Sequence, residues 1–237
     1  LTAGLYPYVI GGIQKHTFFL AKSLAKKKVF VDLYSSHVNS EVDLKKHFTD
    51  IELEFIHITS VEFPKGMKLP GHYVYASYQF SKQLFSKIKD GAPYDIIYAQ
   101  GFTSWFFLKN NKLQKNLISN LHGLEMFQKG INIRNRLQLL LLKIPASFII
   151  KRSKWQISLG GKLTSLLLAN GANSDSIIKA SNGIEKSWIL DAENIEFETD
   201  RRRFIFIGRY ERRKGIQELT QSIIETISLN NYEMHFV

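Results

Sequence analysis

The sequence contains no cysteine among its 237 residues. That excludes a disulfide framework, a thiolate-ligated zinc site and a thiol nucleophile. It also has no uninterrupted apolar run near the ~18 residues a spanning helix needs. The longest stretch, Leu137 to Ile150, is broken by Lys143 and Pro145. Internal repeats and low-complexity tracts are lacking. Acid is missing locally: no Asp or Glu lies between Met126 and Ser174. The opening residue is Leu1 rather than Met, so residues are expected to precede it.

What is present is a foldable, basic chain. Its apolar share of 44% can build a core, which sets aside wholesale disorder. The formal charge is +11. The acid-free stretch holds Lys129, Arg134, Arg136, Lys143, Lys151, Arg152, Lys154 and Lys162. A second basic cluster runs from Arg201 to Lys214, after an acidic segment containing Asp191, Glu193, Glu196, Glu198 and Asp200. Basic surfaces attract phosphate, whether on nucleotides, lipid headgroups or nucleic acid, although a solvated face has the same composition. Leu139–Leu142 and Phe148–Ile150 put apolar anchors beside the first cluster, a mixture suited to an anionic membrane surface or to ordinary core. Nucleic acid is not expected as a partner, because the basic residues lack interleaved aromatic platforms.

Periodicity alternates between strand and helix. Helices are expected over 13–27, 73–89, 103–110, 131–143, 146–152, 162–169 and 216–228, with the fourth and fifth split at Pro145. Strands are expected over 29–34, 52–58, 94–99, 116–121, 155–159, 177–180, 203–207 and 232–237, and residues 1–4 read as a strand end. This rhythm predicts βαβ units and a doubly wound, mostly parallel sheet, with ligands beyond the strand carboxyl ends. The polar segment 185–202 reads as a linker. It separates a domain over 1–184 from the start of a second α/β domain over 203–237.

Four motifs follow strands. Gly11-Gly12 opens a helix, where backbone can approach a bound group and the helix terminus favours an anion; a plain tight turn fits as well. His122-Gly123 ends a strand, where an imidazole can bond a ligand hydroxyl or simply serve the structure; Glu125 is close by. Ser181-Asn182-Gly183 is first of all a turn signal. Gly208-Arg209 through Lys214-Gly215 places two cations five residues apart between a strand and a helix, which suits a diphosphate and its departure. It is not a P-loop, since Lys214 is followed by Gly215.

The order of these motifs carries more than any one of them. Pro7…Gly11-Gly12, Leu20-Ala-Lys-Ser-Leu24, Tyr94 to Gln100, Asn120-Leu-His-Gly-Leu-Glu125, Ala169-Asn-Gly171, Ser181-Asn-Gly-Ile184 and Phe206 to Ile216 succeed one another along almost the whole chain. This series resembles glycosyltransferase family 4, the retaining enzymes of the GT-B fold. The resemblance implies two Rossmann-like domains, an N-terminal one on the acceptor side and a C-terminal one for the nucleotide sugar. It implies that Gly11 and Gly12 approach the phosphate or reacting sugar, that His122 contacts the donor sugar, and that Arg209 and Lys214 bind the donor diphosphate. Asn182 and Gly183 would lie near the site. No metal and no cofactor are implied beyond the nucleotide-sugar substrate, and the chain has no DxD motif.

Two departures stand out. Glu185 replaces the usual Asp after the Asn-Gly-Ile turn. The family's Glu-x7-Glu donor pair belongs further downstream than the chain reaches; Glu225/Glu233, Glu185/Glu193 and Glu54/Glu62 share its spacing, so spacing alone assigns none of them. The expectation is a UDP- or GDP-sugar-dependent transferase acting on a glycan or lipid-linked acceptor in surface or cell-envelope glycan synthesis. It would be cytoplasmic, with attachment to the inner face of the membrane, and inactive as this segment alone. Two rivals remain: a non-catalytic basic module for membrane or glycan, and another GT-B enzyme such as a sugar-nucleotide epimerase or a phosphorylase.

Overall fold

A computed structural model describes residues 1–36, 45–65, 71–91, 93–110, 113–184, 189, 202–208, 210–226 and 232–237. The chain forms two compact units, Leu1–Gly183 and Ile184–Val237.

In the first unit, helix α1 (Gly12–Ala25) leads to strand β1 (Val31–Ser35). The short helix α2 (Asp50–Leu53) precedes β2 (Ile56–Ser60), which pairs in parallel with β1. Helix α3 (His72–Ile88) leads to β3 (Ile97–Gln100), and α4 (Trp105–Asn110) to β4 (Leu117–Asn120). The long helix α5 (Ile133–Arg152) precedes β5 (Trp155–Ser158), and α6 (Lys162–Ala169) precedes β6 (Ile177–Lys179). Strands β3-β4-β5-β6 form one parallel sheet in that order.

The first residues join the two sheets. Thr2 N–H donates to the Tyr34 carbonyl at 3.1 Å, and Gln100 N–H donates to the Leu1 carbonyl at 3.0 Å. The Leu1 nitrogen lies 2.6 Å from the Tyr98 carbonyl. Leu1 and Thr2 thus occupy a strand position between β1 and β3. From that position the chain winds outward to β1 and β2 on one side, then returns to lay β3 to β6 on the other. The reversal of strand order falls between the N-terminal segment and β3, and such a reversal opens a crevice at the strand carboxyl ends.

Helices cover both faces. Ile97 and Ala99 of β3 pack with Phe80, Leu84 and Phe85 of α3, Phe107 of α4 and Ile149 of α5. Tyr98 alternates to the other face and meets His16 of α1. Farther along, Phe18 and Ala21 of α1 bury against Leu33, Phe48 and Ile56. The arrangement is the expected doubly wound α/β fold.

Two expected elements differ. Residues 52–58 do not form one strand, because Glu52 and Leu53 belong to α2. Thr49 Oγ1 accepts from Glu52 N–H at 3.2 Å while Glu52 Oε2 accepts from Thr49 N–H at 3.0 Å. This reciprocal cap starts a helix where alternation alone suggested strand. The buried Glu52 carboxylate also lies 3.4 Å from Lys22 Nζ. The second difference is at Pro145, which does not split its helix; α5 runs through it. Proline there forfeits one intrahelical bond. Its ring is fully buried beside the core residues Ala146, Ile149 and Ile150 of the same helix.

The second unit pairs β7 (Arg202–Phe206) in parallel with β8 (Tyr232–Phe236) across helix α7 (Ile216–Thr226). A short 3-10 turn, Arg212–Lys214, ends at Gly215 with φ +75°, a left-handed backbone that glycine adopts without cost. Arg209, Glu185 and nearly all of the expected linker lie outside the described residues.

Candidate functional site

At the carboxyl ends of β3 and β4, beside the strand-order reversal, buried polar side chains converge. β3 ends at Gln100 and β4 at Asn120, and both are buried. Buried amides need partners, and here they find one another's neighbours. Asn120 Oδ1 accepts from the His122 backbone N–H at 2.8 Å. Asn120 Nδ2 donates to the Tyr98 hydroxyl at 2.6 Å. The other end of the network is Gln100 Oε1, 2.9 Å from His122 Nε2 and 3.0 Å from the Thr17 hydroxyl. The Tyr98 hydroxyl lies 3.2 Å from His16 Nε2. The His16 and His122 rings meet edge to face at 5.1 Å between centroids.

The backbone at His122 is unusual. Its φ is +56°, left-handed for a residue with a Cβ. Such a conformation costs about 1–2 kcal/mol, and surrounding contacts must hold it. The Asn120 side chain bonding the His122 N–H, and the Gly123 N–H donating to the Leu121 carbonyl at 2.6 Å, supply that hold.

The network fixes protons as well as positions. Gln100 Oε1 can only accept, so His122 Nε2 carries the hydrogen. Its Nδ1 then keeps a lone pair that none of these bonds uses. Burial, and then repulsion from His16, lower the His122 pKa from 6.5 to about 4. Burial also lowers that of His16. At neutral pH both rings are uncharged. The site can donate and accept hydrogen bonds to hydroxyls, but it supplies no cation for a phosphate.

Helix α1 approaches from the other side. Gly11 precedes it without a side-chain cap, and its first turn has no acidic residue. Its leading N–H groups thus lack a side-chain partner from the cap residue. Gly11 has an extended φ of 173°, so no left-handed turn demands glycine there. A Cβ on Gly11 would sit 2.3 Å from Gln14 Oε1, the flexible end of a side chain that can swing away, and one on Gly12 would meet nothing within 4 Å, so neither position demands glycine for space. His16, one turn into the helix, ties this glycine-led end to the His122 turn.

The structure therefore sets His122 against His16 of α1, the helix that Gly11 and Gly12 open. Glu125 follows His122 in a short 3-10 turn and is exposed. Asn182 and Gly183 are exposed beyond β6, two strands from β4. Lys214 is exposed on the second unit, and Arg209 is outside the described residues. Sequence reasoning missed His16, Thr17, Tyr98, Gln100 and Asn120 as site members. One signal was available for His16: it stands a helical turn after Gly12 in the same motif.

A glycine pair after β5 also escaped notice. Gly160 and Gly161, with φ +94° and +52°, turn the chain into α6. Ser158, Leu163 and Leu167 from this region border a cleft with Asn120, His122 and Leu124. Among the described residues, no three His, Asp or Glu side chains cluster as metal ligands.

Residues 10–186 match Glycosyltransferase Family 4. The chain belongs to that family. No curated protein matches it in sequence. Solved structures similar to this family 4 chain include the Staphylococcus aureus MnaA structure with UDP, at TM-score 0.51 and 14% identity, covering 99% of this chain and 61% of that one. Another is a UDP-N-acetylglucosamine 2-epimerase from Rickettsia bellii, at TM-score 0.52 and 17% identity, covering 99% of this chain and 60% of that one. Identities this low speak to fold alone, and the fold is of the GT-B type. The family 4 chain spans about three fifths of the length of both.

Proposed function

We propose that the chain is the acceptor-side domain, with the opening of the donor domain, of a retaining glycosyltransferase that uses a UDP- or GDP-sugar. The observation that carries this reading is the uncharged His16–His122 network at the strand-order reversal, set beside a glycine-led helix start. Hydroxyl-rich, uncharged sugars suit such a network, because they exchange hydrogen bonds with it and need no counter-charge. His122 Nδ1, which the bonds described above leave unused, accepts from a donor-sugar hydroxyl in this reading, and the leading N–H groups of α1 face the phosphate or reacting sugar.

The reaction breaks the bond between the sugar anomeric carbon and the diphosphate oxygen, and the nucleoside diphosphate leaves with the electron pair. The acceptor oxygen forms the new bond on the same face and releases its proton. Arg209 and Lys214 neutralise the departing diphosphate, the task a metal ion performs elsewhere. The acceptor is a glycan or lipid-linked saccharide of the cell surface or envelope. Family membership and the MnaA structure's UDP support a nucleotide-sugar substrate.

The test is acceptor-dependent release of nucleoside diphosphate by the full-length enzyme across a panel of UDP- and GDP-sugars. Arg209→Ala and Lys214→Ala should each lower kcat by about a hundredfold, with KM for the sugar nucleotide changing less. Unchanged turnover in both variants would remove the proposed role. Conversion of the sugar nucleotide to an epimer without acceptor would replace transfer with epimerisation.

A further inference from the structure

Helix α5 is apolar on two opposite sides. One side, with Pro145, Ala146, Ile149 and Ile150, is buried in the first unit. The other carries Ile133, Leu137, Leu140 and Ile144, which are 85%, 53%, 59% and 67% exposed. Their spacing of four, three and four residues places them on one helical face. The stripe runs ~16 Å along the helix axis. Among the described residues nothing covers it.

Charge frames this stripe on both sides. Arg136 and Lys143 flank one edge of the same helix and Arg134 the other, all exposed. No acidic residue occurs from Met126 to Ser174, so no carboxylate of that stretch offsets these cations. Aliphatic side chains with cations along both borders match the boundary between acyl chains and anionic headgroups. A second copy is disfavoured, since a two-fold contact would press identical cations together. A protein partner is disfavoured too, because the stripe is aliphatic and convex, with no aromatic anchor or pocket of the kind that concentrates binding energy.

We propose that α5 docks the enzyme on an anionic lipid surface, with Ile133, Leu137, Leu140 and Ile144 entering the headgroup–acyl boundary. Arg134, Arg136 and Lys143 hold the phosphates. The helix does not span; no helix among the described residues is long and apolar enough to cross a membrane. The inference is independent of the transfer chemistry, because its test reads no turnover.

The experiment is co-sedimentation of the full-length protein with vesicles of phosphatidylglycerol in phosphatidylcholine, and with phosphatidylcholine alone. The protein should pellet with the anionic vesicles, weaken with added salt, and stay in solution with the neutral ones. Leu137→Gln/Leu140→Gln, which removes apolar area without changing charge, should lower the vesicle partition coefficient roughly tenfold or more. Ile133→Gln/Ile144→Gln provides a second pair should the first unfold, as judged by circular dichroism. Failure to bind anionic vesicles overturns the proposal. So does equal binding by a folded double variant, or a dimer in sedimentation velocity that the same substitutions dissolve.

Discussion

His122 is held by three constraints that pull in one direction. Its left-handed backbone is fixed by Asn120, its Nε2–H by Gln100, and its ring by His16. Because its pKa is lowered from 6.5 to about 4, the unfolded chain takes up a proton first as pH falls. Stability contributed by neutral His122 is full above about pH 6.5 and is lost on descending toward about pH 4. Urea unfolding midpoints should therefore drop across that window, and His122→Gln should flatten the drop. An identical slope in the variant would mean that other groups carry the effect. The candidates Gly11, Gly12 and His122 could be named from the sequence because each sits next to a strand or helix boundary. Tyr98, Gln100 and His16 were not: His16 and Tyr98 are 82 positions apart, and His122 and Gln100 are 22 apart. Only the strand order makes them neighbours.

At the scale of elements, hydrophobic periodicity placed nearly every helix and strand, and it failed where a local chemical device outweighed it. Glu52-Leu-Glu-Phe alternates like a strand, yet Thr49 and Glu52 close a reciprocal cap and start α2. Thr49-x-x-Glu52 is a cap signal in the sequence that alternation by itself does not register. Thr49→Ala should cost about 1 kcal/mol of unfolding free energy, measured by urea denaturation. A loss well below that would mean that the Lys22–Glu52 pair suffices to anchor α2. Pro145 misled in the opposite sense. A proline usually ends a helix, but burial of its ring on the core side of α5 keeps the helix continuous. The outward stripe of the same helix was visible in the sequence only as a leucine-rich basic segment. Its exposure depends on which side the core takes, and the structure supplies that.

At the scale of the whole molecule, the alternation of elements is enough to predict a parallel doubly wound sheet. It does not predict that Leu1 and Thr2 bridge β1 and β3, which places the strand-order reversal against the His122 turn. That placement gives the candidate site its physical logic: the fold opens a crevice there, and the residues filling its floor are uncharged hydrogen-bonding groups. In the proposed transfer, the cations for the diphosphate come from outside this network, and Arg209 and Lys214 are the proposed source. The central proposal is transfer of a sugar from a nucleoside diphosphate sugar with retained configuration. The most direct measurement is the anomeric configuration of the product, read by NMR from the full-length enzyme supplied with its nucleotide sugar and a saccharide acceptor. The donor's anomeric configuration should be kept in the new glycosidic bond. An inverted linkage, or a sugar nucleotide epimerised with no acceptor consumed, would contradict it.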